Sequence, residues 1–172
     1  MDLLHQFVFS DTPIRGRIVQ LSSSYVEAVR YQELTAEGLN LLGEALAAVS
    51  LVADSLKFDG SVTLQAQGQG KISKLVAECH GGHFIRGLAM NNEKVKSSEG
   101  ESVGISLISG NQLAISLLPK SDKQMQPYQG IVELKKEGLA QSLSSYFKSS
   151  EQLLTSFVLT CCNGKSAGLF LQ

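Results

Sequence analysis

Tryptophan is absent from this sequence of 172 residues, and proline and cysteine occur only three times each. The cysteines Cys79, Cys161 and Cys162 are odd in number and show no CxxC spacing. Disulfide-stapled secreted domains normally carry an even set of cysteines at regular spacings. The sequence therefore does not indicate a disulfide framework, and we expect three reduced cysteines in the core or in strands.

Charge is also sparse and balanced. Fifteen Lys and Arg residues against sixteen Asp and Glu residues give a formal net charge of −1, and no basic run occurs. A nucleic-acid interface needs clustered cations that contact phosphates, so nucleic acid is not an expected partner.

Two further features are missing: the basic start and cleavage site of a secretory signal, and an unbroken apolar run of about 20 residues that could cross a bilayer. We therefore expect no membrane association and a cytoplasmic location.

Motifs that organise catalysis are missing as well. The sequence contains no GxSxG, no HExxH and no paired-carboxylate motif. The Gly68-Gln69-Gly70 stretch leads from one strand pattern to another, so no helix N-terminus follows that could hold a phosphate. We predict a glycine turn there, no catalytic or cofactor-binding residues, and no enzymatic activity.

The sequence does contain one strongly apolar helix pattern. Residues 39–56 are mostly Leu, Val and Ala, and only Asn40, Glu44 and Asp54 mark a narrow polar stripe. A helix that is apolar nearly all round is expected to be buried. Thr35 is the predicted N-cap. After the helix, apolar residues alternate with polar ones over 62–67, which predicts a strand with one buried face.

The remaining chain alternates strand patterns with two shorter helices. Strands are predicted over residues 7–9, 14–21, 75–80, 84–90, 112–117, 130–134, 157–161 and 167–171, and Asn163-Gly164 predicts a hairpin turn. Ser22, Ser23 and Ser24 offer N-caps for a short helix, and residues 139–147 predict an amphipathic one. Residues 91–102 and 121–127 are expected to be polar connections. Strands and helices do not alternate regularly, so the predicted class is α+β, with a single domain over residues 1–172.

Three groups of residues have a possible functional interpretation beside a structural one. The sequence Cys79-His80-Gly81-Gly82-His83 could bind a metal, but zinc sites need three or four ligands in tetrahedral geometry, and no second ligand pair completes this one. A hairpin tip with an inward Cys79 is the alternative. Cys161-Cys162 could form a redox pair, but neighbouring side chains in a strand point to opposite faces.

Arg15 and Arg86 both precede a glycine within strand patterns. Each could contact a ligand, or could form a structural ion pair with an acidic residue such as Asp59 or Glu151. We favour the ion pair.

Several short motifs occur in an order and spacing that resemble the bacterial redox-regulated holdase chaperones, the heat-shock proteins of about 33 kDa. The matching positions, which we interpret as fold determinants, are Arg15, Gly16, Lys57, Phe58, Asp59, Gly60, Arg86, Gly87, Tyr128, Gln129, Gly130, Ser150, Glu151 and Gln152.

This resemblance implies a layered β/β/α arrangement of sheets with a buried helix. It also implies ATP-independent binding of unfolding client proteins and a homodimer, which in the family sometimes has exchanged segments. In the family, zinc is held by a C-terminal redox-switch module with CxC and CxxC motifs. We expect that module to be absent from these residues, and client binding therefore to be independent of redox state. A small-ligand enzyme or hydrolase with a cleft between the sheets is the alternative.

Overall fold

Helix α2 (Ala36–Leu56) is the centre of the fold in the computed structural model, which describes residues 1–56, 59–95, 104–120 and 126–172. It begins where predicted: the amide of Gly38 donates a hydrogen bond to the Thr35 hydroxyl at 3.2 Å, so Thr35 is the N-cap. From Leu41 to Ala53 nearly every residue is buried, because the helix contacts strands of both sheets. The prediction of a buried central helix is confirmed.

The described residues form nine strands and two further helices. The strands are β1 (Leu3–Val8), β2 (Arg15–Leu21), β3 (Gly60–Gln67), β4 (Ile72–His80), β5 (Phe84–Asn91), β6 (Gln112–Pro119), β7 (Tyr128–Glu133), β8 (Ser156–Cys162) and β9 (Lys165–Leu171). The helices are α1 (Ser23–Val29) and α3 (Leu139–Ser149), and a 3-10 helix spans Gly104–Leu107.

The strands form two antiparallel sheets. One has four strands in the order β1-β2-β9-β8, and the other has five in the order β5-β4-β3-β6-β7. The α+β class, with sheets packed on a buried helix, is confirmed. By length and composition α2 could cross a membrane, but 67% of its most apolar window is buried inside the protein, as in the core helix of a globular fold.

Turn residues behave as their types predict. Asn163 and Gly164 have positive φ values of 50° and 72° and connect β8 to β9 in the predicted hairpin. Gly81 and Gly82, also with positive φ, form the tip between β4 and β5. The predicted glycine turn lies between β3 and β4, where the Gly70 amide donates to the Ile108 carbonyl at 2.9 Å.

Of the two predicted polar connections, only part is described. Residues 92–95 follow β5 and include a turn closed by the Val95 amide and the Asn92 carbonyl. Residues 96–103 and 121–125 lie outside the described ranges. The second connection therefore stays a prediction.

Helix α1 differs from the prediction in its capping group. Ser22 occupies the N-cap position, but its side chain makes no capping hydrogen bond. The carboxylate of Asp2 accepts instead from the amides of Ser22 at 2.6 Å and Ser24 at 3.0 Å, and from the hydroxyls of Ser23 and Ser24. The cap comes from 20 residues away, because pairing of β1 with β2 brings the chain start to the helix.

Loss of this carboxylate should cost stability in a pH-dependent way. Partial burial opposes ionisation of Asp2, but the hydrogen bonds from Ser24, Ser22 and Ser23 outweigh it and lower the pKa from 3.8 to about 2. A lowered pKa stabilises the fold above about pH 4, and the contribution disappears as pH falls towards 2. Asp2→Asn keeps one acceptor oxygen but removes the charge and the second acceptor, so it should reduce the free energy of unfolding at pH 7 by about 1 kcal/mol.

Urea unfolding of both proteins between pH 2 and pH 7 measures this effect. The difference between wild type and Asp2→Asn should shrink as pH falls through this range. Asp11→Asn, at an exposed residue between β1 and β2, is the control for loss of one negative charge. An equal loss in both variants, or a difference independent of pH, would contradict the capping role.

Candidate functional site

The outer face of the four-stranded sheet carries a continuous row of apolar side chains among polar ones, which is unusual for a sheet surface in contact with water. In β2, Val19 and Leu21 point into the core, so Ile18 points outward and is 42% exposed. Strand register places Ile18 beside Leu169 of β9, and Leu169 beside Val158 of β8, which is 59% exposed. These three residues form one continuous apolar row across three strands.

A second row extends this surface. Phe7 of β1 lies opposite Gly16 of β2, which lies opposite Leu171 of β9. A Cβ atom at Gly16 would overlap the Phe7 ring, so glycine is needed for the ring to lie across the strand. Phe9 contacts Phe7 edge to face at 5.8 Å between ring centroids and is half exposed.

We call this surface the outer face, defined by Leu3, Phe7, Ile18, Val158, Leu169 and Leu171. The outward residues of the central strand β3 in the other sheet are Ser61, Thr63, Gln65 and Gln67, all polar. The centre of that sheet is therefore polar, although its flanking strands also carry exposed apolar side chains. Contiguous exposed apolar surface of this kind marks interaction sites.

A second cluster joins two of the family motifs through Tyr146. The hydroxyls of Tyr128 in β7 and Tyr146 in α3 lie 2.6 Å apart, and each lies 3.0 Å from Oε1 of Glu151. Gly130 permits this arrangement, because a Cβ atom there would overlap the Tyr146 hydroxyl. Burial, with the contacts to Tyr128 and Glu151, raises the pKa of Tyr146 above its usual value.

The end of α3 places the Glu151 carboxylate next to the two tyrosine hydroxyls. The Ser150 amide donates to the Tyr146 carbonyl at 2.8 Å and closes the helix, and Gln152 then adopts a positive φ of 56° that turns the chain. Gln129, the middle residue of its motif, points to the other side of β7 and donates to the Ser116 hydroxyl at 3.2 Å. The Tyr128, Gly130, Ser150, Glu151 and Gln152 positions thus form one local unit.

The remaining motif positions are spread over the fold. Gly60 begins β3, and its carbonyl accepts from the Gly81 amide; the Asp59 carbonyl accepts from the Lys120 amide. Gly87 lies in β5, where its carbonyl accepts from the Gln32 side chain at 3.3 Å. Lys57 and Phe58 lie outside the described residues.

The predicted acidic partners of the two arginines are wrong. Arg86 pairs with Glu78 at 2.8 Å, its cross-strand neighbour in β4, because strand pairing places them side by side. Glu151 contacts the two tyrosines instead. Arg15 is exposed at the start of β2, where its backbone pairs with Gln172.

The buried arginine is Arg17, which sequence reasoning missed. Its Nε contacts Asp54 at 2.7 Å, its guanidinium lies 5.3 Å from the Phe170 ring centroid, and Gln6 donates twice to the same carboxylate. The sequence signal was a polar Asp54 near the end of an apolar helix, which requires a partner when the helix is buried.

The cysteines occupy the positions expected for structural residues. Cys79 is buried in β4, and burial raises its pKa to about 11. Its neighbour His80 contacts the Ser61 hydroxyl at 2.7 Å on the other side of the strand. In β8, Cys161 is buried and Cys162 exposed, so they point to opposite faces as predicted.

A rigid core that carries an exposed apolar sheet face is typical of proteins that act by binding other proteins. The chain belongs to the Hsp33 family: the family profile described as Hsp33 protein matches residues 2–172. The 33 kDa chaperonin of Neisseria meningitidis serogroup A is 36% identical over 171 residues, and that of Pseudomonas aeruginosa strain LESB58 is 40% identical over 172 residues.

Each alignment covers 99% of this chain and 56% of the relative, so the chain spans about half the length of these curated relatives. The crystal structure of the Thermotoga maritima 33 kDa chaperonin superimposes with a TM-score of 0.79 at 24% identity, over 98% of this chain and 60% of that one. This superposition supports the fold.

Proposed function

We propose that this chain is an ATP-independent holdase that binds unfolding proteins through the outer face and prevents their aggregation. The apolar row of Ile18, Leu169 and Val158 is the observation that carries the proposal. Unfolding proteins expose apolar segments, and burial of such surface yields about 25 cal/mol per Å² without directional requirements. A broad apolar face therefore suits clients of varied sequence. Family membership supports this role.

The alternative from sequence, an enzyme with a cleft between the sheets, has no support from the relatives' names. A cleft of about 340 Å³ does exist, and Asp2, Asp54 and His83 line it. Both carboxylates already accept several hydrogen bonds, Asp2 from serines of α1 and Asp54 from Arg17 and Gln6. They serve as structural acceptors, and we propose that the chain has no catalytic activity.

We propose a single domain, a cytoplasmic location and a mechanism without a cofactor. The zinc that the resemblance implies belongs to a C-terminal module, and the residues described here do not fit it. Within the described ranges no group of three or more His, Cys, Asp or Glu side chains is placed to hold a metal. A second copy of the chain is a further proposed partner, and if it pairs through the outer face, pairing and client binding compete for the same surface.

An aggregation assay tests the holdase proposal directly. Light scattering of a thermally unfolding client should fall severalfold when the chain is added at equimolar concentration without ATP. Serum albumin at the same mass concentration controls for crowding. Unchanged scattering under every redox condition, together with a saturable ligand in the cleft, would favour the enzyme alternative.

The same assay should give equal suppression with reductant and with peroxide. Oxidation proceeds through the thiolate, and burial raises the pKa of both Cys79 and Cys161. Cys162 is exposed, but the side chain of its neighbour Cys161 points to the opposite face of the strand, so the two thiols are not placed to form a disulfide. A severalfold rise with peroxide that a thiol reductant reverses would contradict redox independence. Replacing all three cysteines with serine would then locate the switch.

A further inference from the structure

A cavity of about 270 Å³ opens beside the Tyr128, Tyr146 and Glu151 cluster, and none of the residues that define the outer face lines it. Its apolar lining includes Val52 of α2, Ile115 and Leu117 of β6, and Phe147 of α3. The wall is thus mainly apolar, with a few polar groups among the lining residues. This combination is typical of small-ligand sites, and the volume lies near the lower limit of roughly 300 Å³ for such pockets.

The charge that lines the cavity is negative. Among the described lining residues, Glu151 is the one that carries a formal charge. The rings of Tyr146 and Phe147 also line the cavity, with centroids 5.9 Å apart and planes inclined at 84°. A carboxylate and aromatic rings in one cavity favour a cation, because the carboxylate is negative and ring faces carry negative charge density.

The hydrogen bonding of the cluster shows a shortage of donors. Three oxygen–oxygen contacts join Tyr128, Tyr146 and Glu151, at 2.6, 3.0 and 3.0 Å. Each phenol has one proton and a carboxylate has none, so two protons serve three contacts. Both tyrosine contacts are with Oε1, and among the described residues no hydrogen bond to Oε2 occurs. Glu151 is exposed, so Oε2 is open to a further donor, which can be water or a bound ligand.

We propose that this cavity binds an alkylammonium group, with the ammonium on Glu151 and the alkyl chain along Val52, Ile115 and Leu117. An ammonium supplies three donors and a positive charge, whereas the alkyl chain covers the apolar wall. An anion would meet the carboxylate, and a neutral chain would desolvate it without compensation. The site is separate from the outer face and does not depend on the holdase proposal.

Titration with hexylammonium, and with 1-hexanol as the neutral analogue of similar length, tests this site. The chain has four tyrosines and no tryptophan, so tyrosine fluorescence is not masked, and two of the four, Tyr128 and Tyr146, line the cavity. Hexylammonium should bind saturably with Kd on the order of 1 mM. Hexanol should bind at least about tenfold more weakly, because a charge-assisted hydrogen bond is lost.

Glu151→Gln preserves the shape of the side chain and removes its charge. Hexylammonium affinity should fall on the order of tenfold to a hundredfold. Glu133→Gln, at an exposed residue of β7, is the matched control and should bind as wild type does. Equal binding of hexanol and hexylammonium to the wild type would overturn the proposal without any variant. So would unchanged affinity in a folded Glu151→Gln protein.

A peptide arm distinguishes two sources of the group. Acetyl-Leu-Lys-Leu-amide is compared with the same peptide carrying norleucine in place of lysine. Displacement of hexylammonium by the lysine peptide alone supports the site and assigns it to a protein side chain. Binding of hexylammonium without displacement by either peptide supports a small-molecule amine. Displacement by both peptides equally would contradict recognition of the ammonium.

Discussion

Replacing both Ile18 and Val158 with glutamate is expected to remove most of the aggregation suppression and leave the fold intact. Both side chains point away from the core, and Leu169 lies between them in the strand register. Two carboxylates at the centre of the outer face would be strongly hydrated. Binding of an apolar client segment would then require removal of that water, which costs free energy. Exposed substitutions usually change stability by no more than about 0.5 kcal/mol each.

A matched variant carries the same charges at the same spacing on the other sheet. Gln65→Glu with Ile131→Glu places two carboxylates across Ala114, as the first pair lies across Leu169. This control should retain suppression. Equal loss in both variants would show that net charge, and not the outer face, governs client binding. Full suppression by the Ile18 and Val158 variant would place the client site elsewhere.

Sedimentation velocity on the same variants tests pairing of a second copy through the outer face. If two chains pair through this surface, wild type should sediment as a dimer and the Ile18 and Val158 variant as a monomer. The Gln65 and Ile131 variant should remain dimeric. Wild type that is monomeric over a wide concentration range would contradict the homodimer.

Phe170→Ala should reduce the free energy of unfolding by about 3–5 kcal/mol, the range for a large aromatic residue removed from a core. Phe170 is fully buried, and its ring lies 5.1 Å from Phe157 and 6.2 Å from Phe147 between centroids. The substitution also removes the ring beneath the Arg17 guanidinium. Domains of this size are stable by roughly 5–15 kcal/mol in total, so the variant should be marginal at 37 °C.

Urea unfolding followed by circular dichroism measures this loss. Phe84→Ala removes the same side chain from a residue that is 75% exposed in β5, and should change stability by less than about 0.5 kcal/mol. A loss below about 1 kcal/mol in Phe170→Ala would show that the surrounding residues collapse into the space, and would contradict a rigid aromatic core.

Local signals predicted the elements well. An apolar pattern on all sides of residues 39–56 indicates burial because no face of such a helix suits water, and Thr35 caps it through an amide three residues later. The period-2 alternation in β3 and the Asn163-Gly164 turn are likewise local, and the structure confirms both. The predicted capping of α1 by a serine side chain was wrong because the better acceptor, Asp2, lies 20 residues before Ser22 in the sequence.

The sequence by itself determined the α+β class, the buried helix and the motif positions, because each depends on residues within a few positions of one another. Only the tertiary structure decided that Arg17 pairs with Asp54, that Tyr128 and Tyr146 meet Glu151, and which apolar residues remain outside. Strand β8 has apolar residues on both faces, so the alternation pattern could not predict whether Val158 or Phe157 points into the core. The side that faces water is set by pairing between β9, β8 and the distant β2, and by the position of α2 against one side of that sheet.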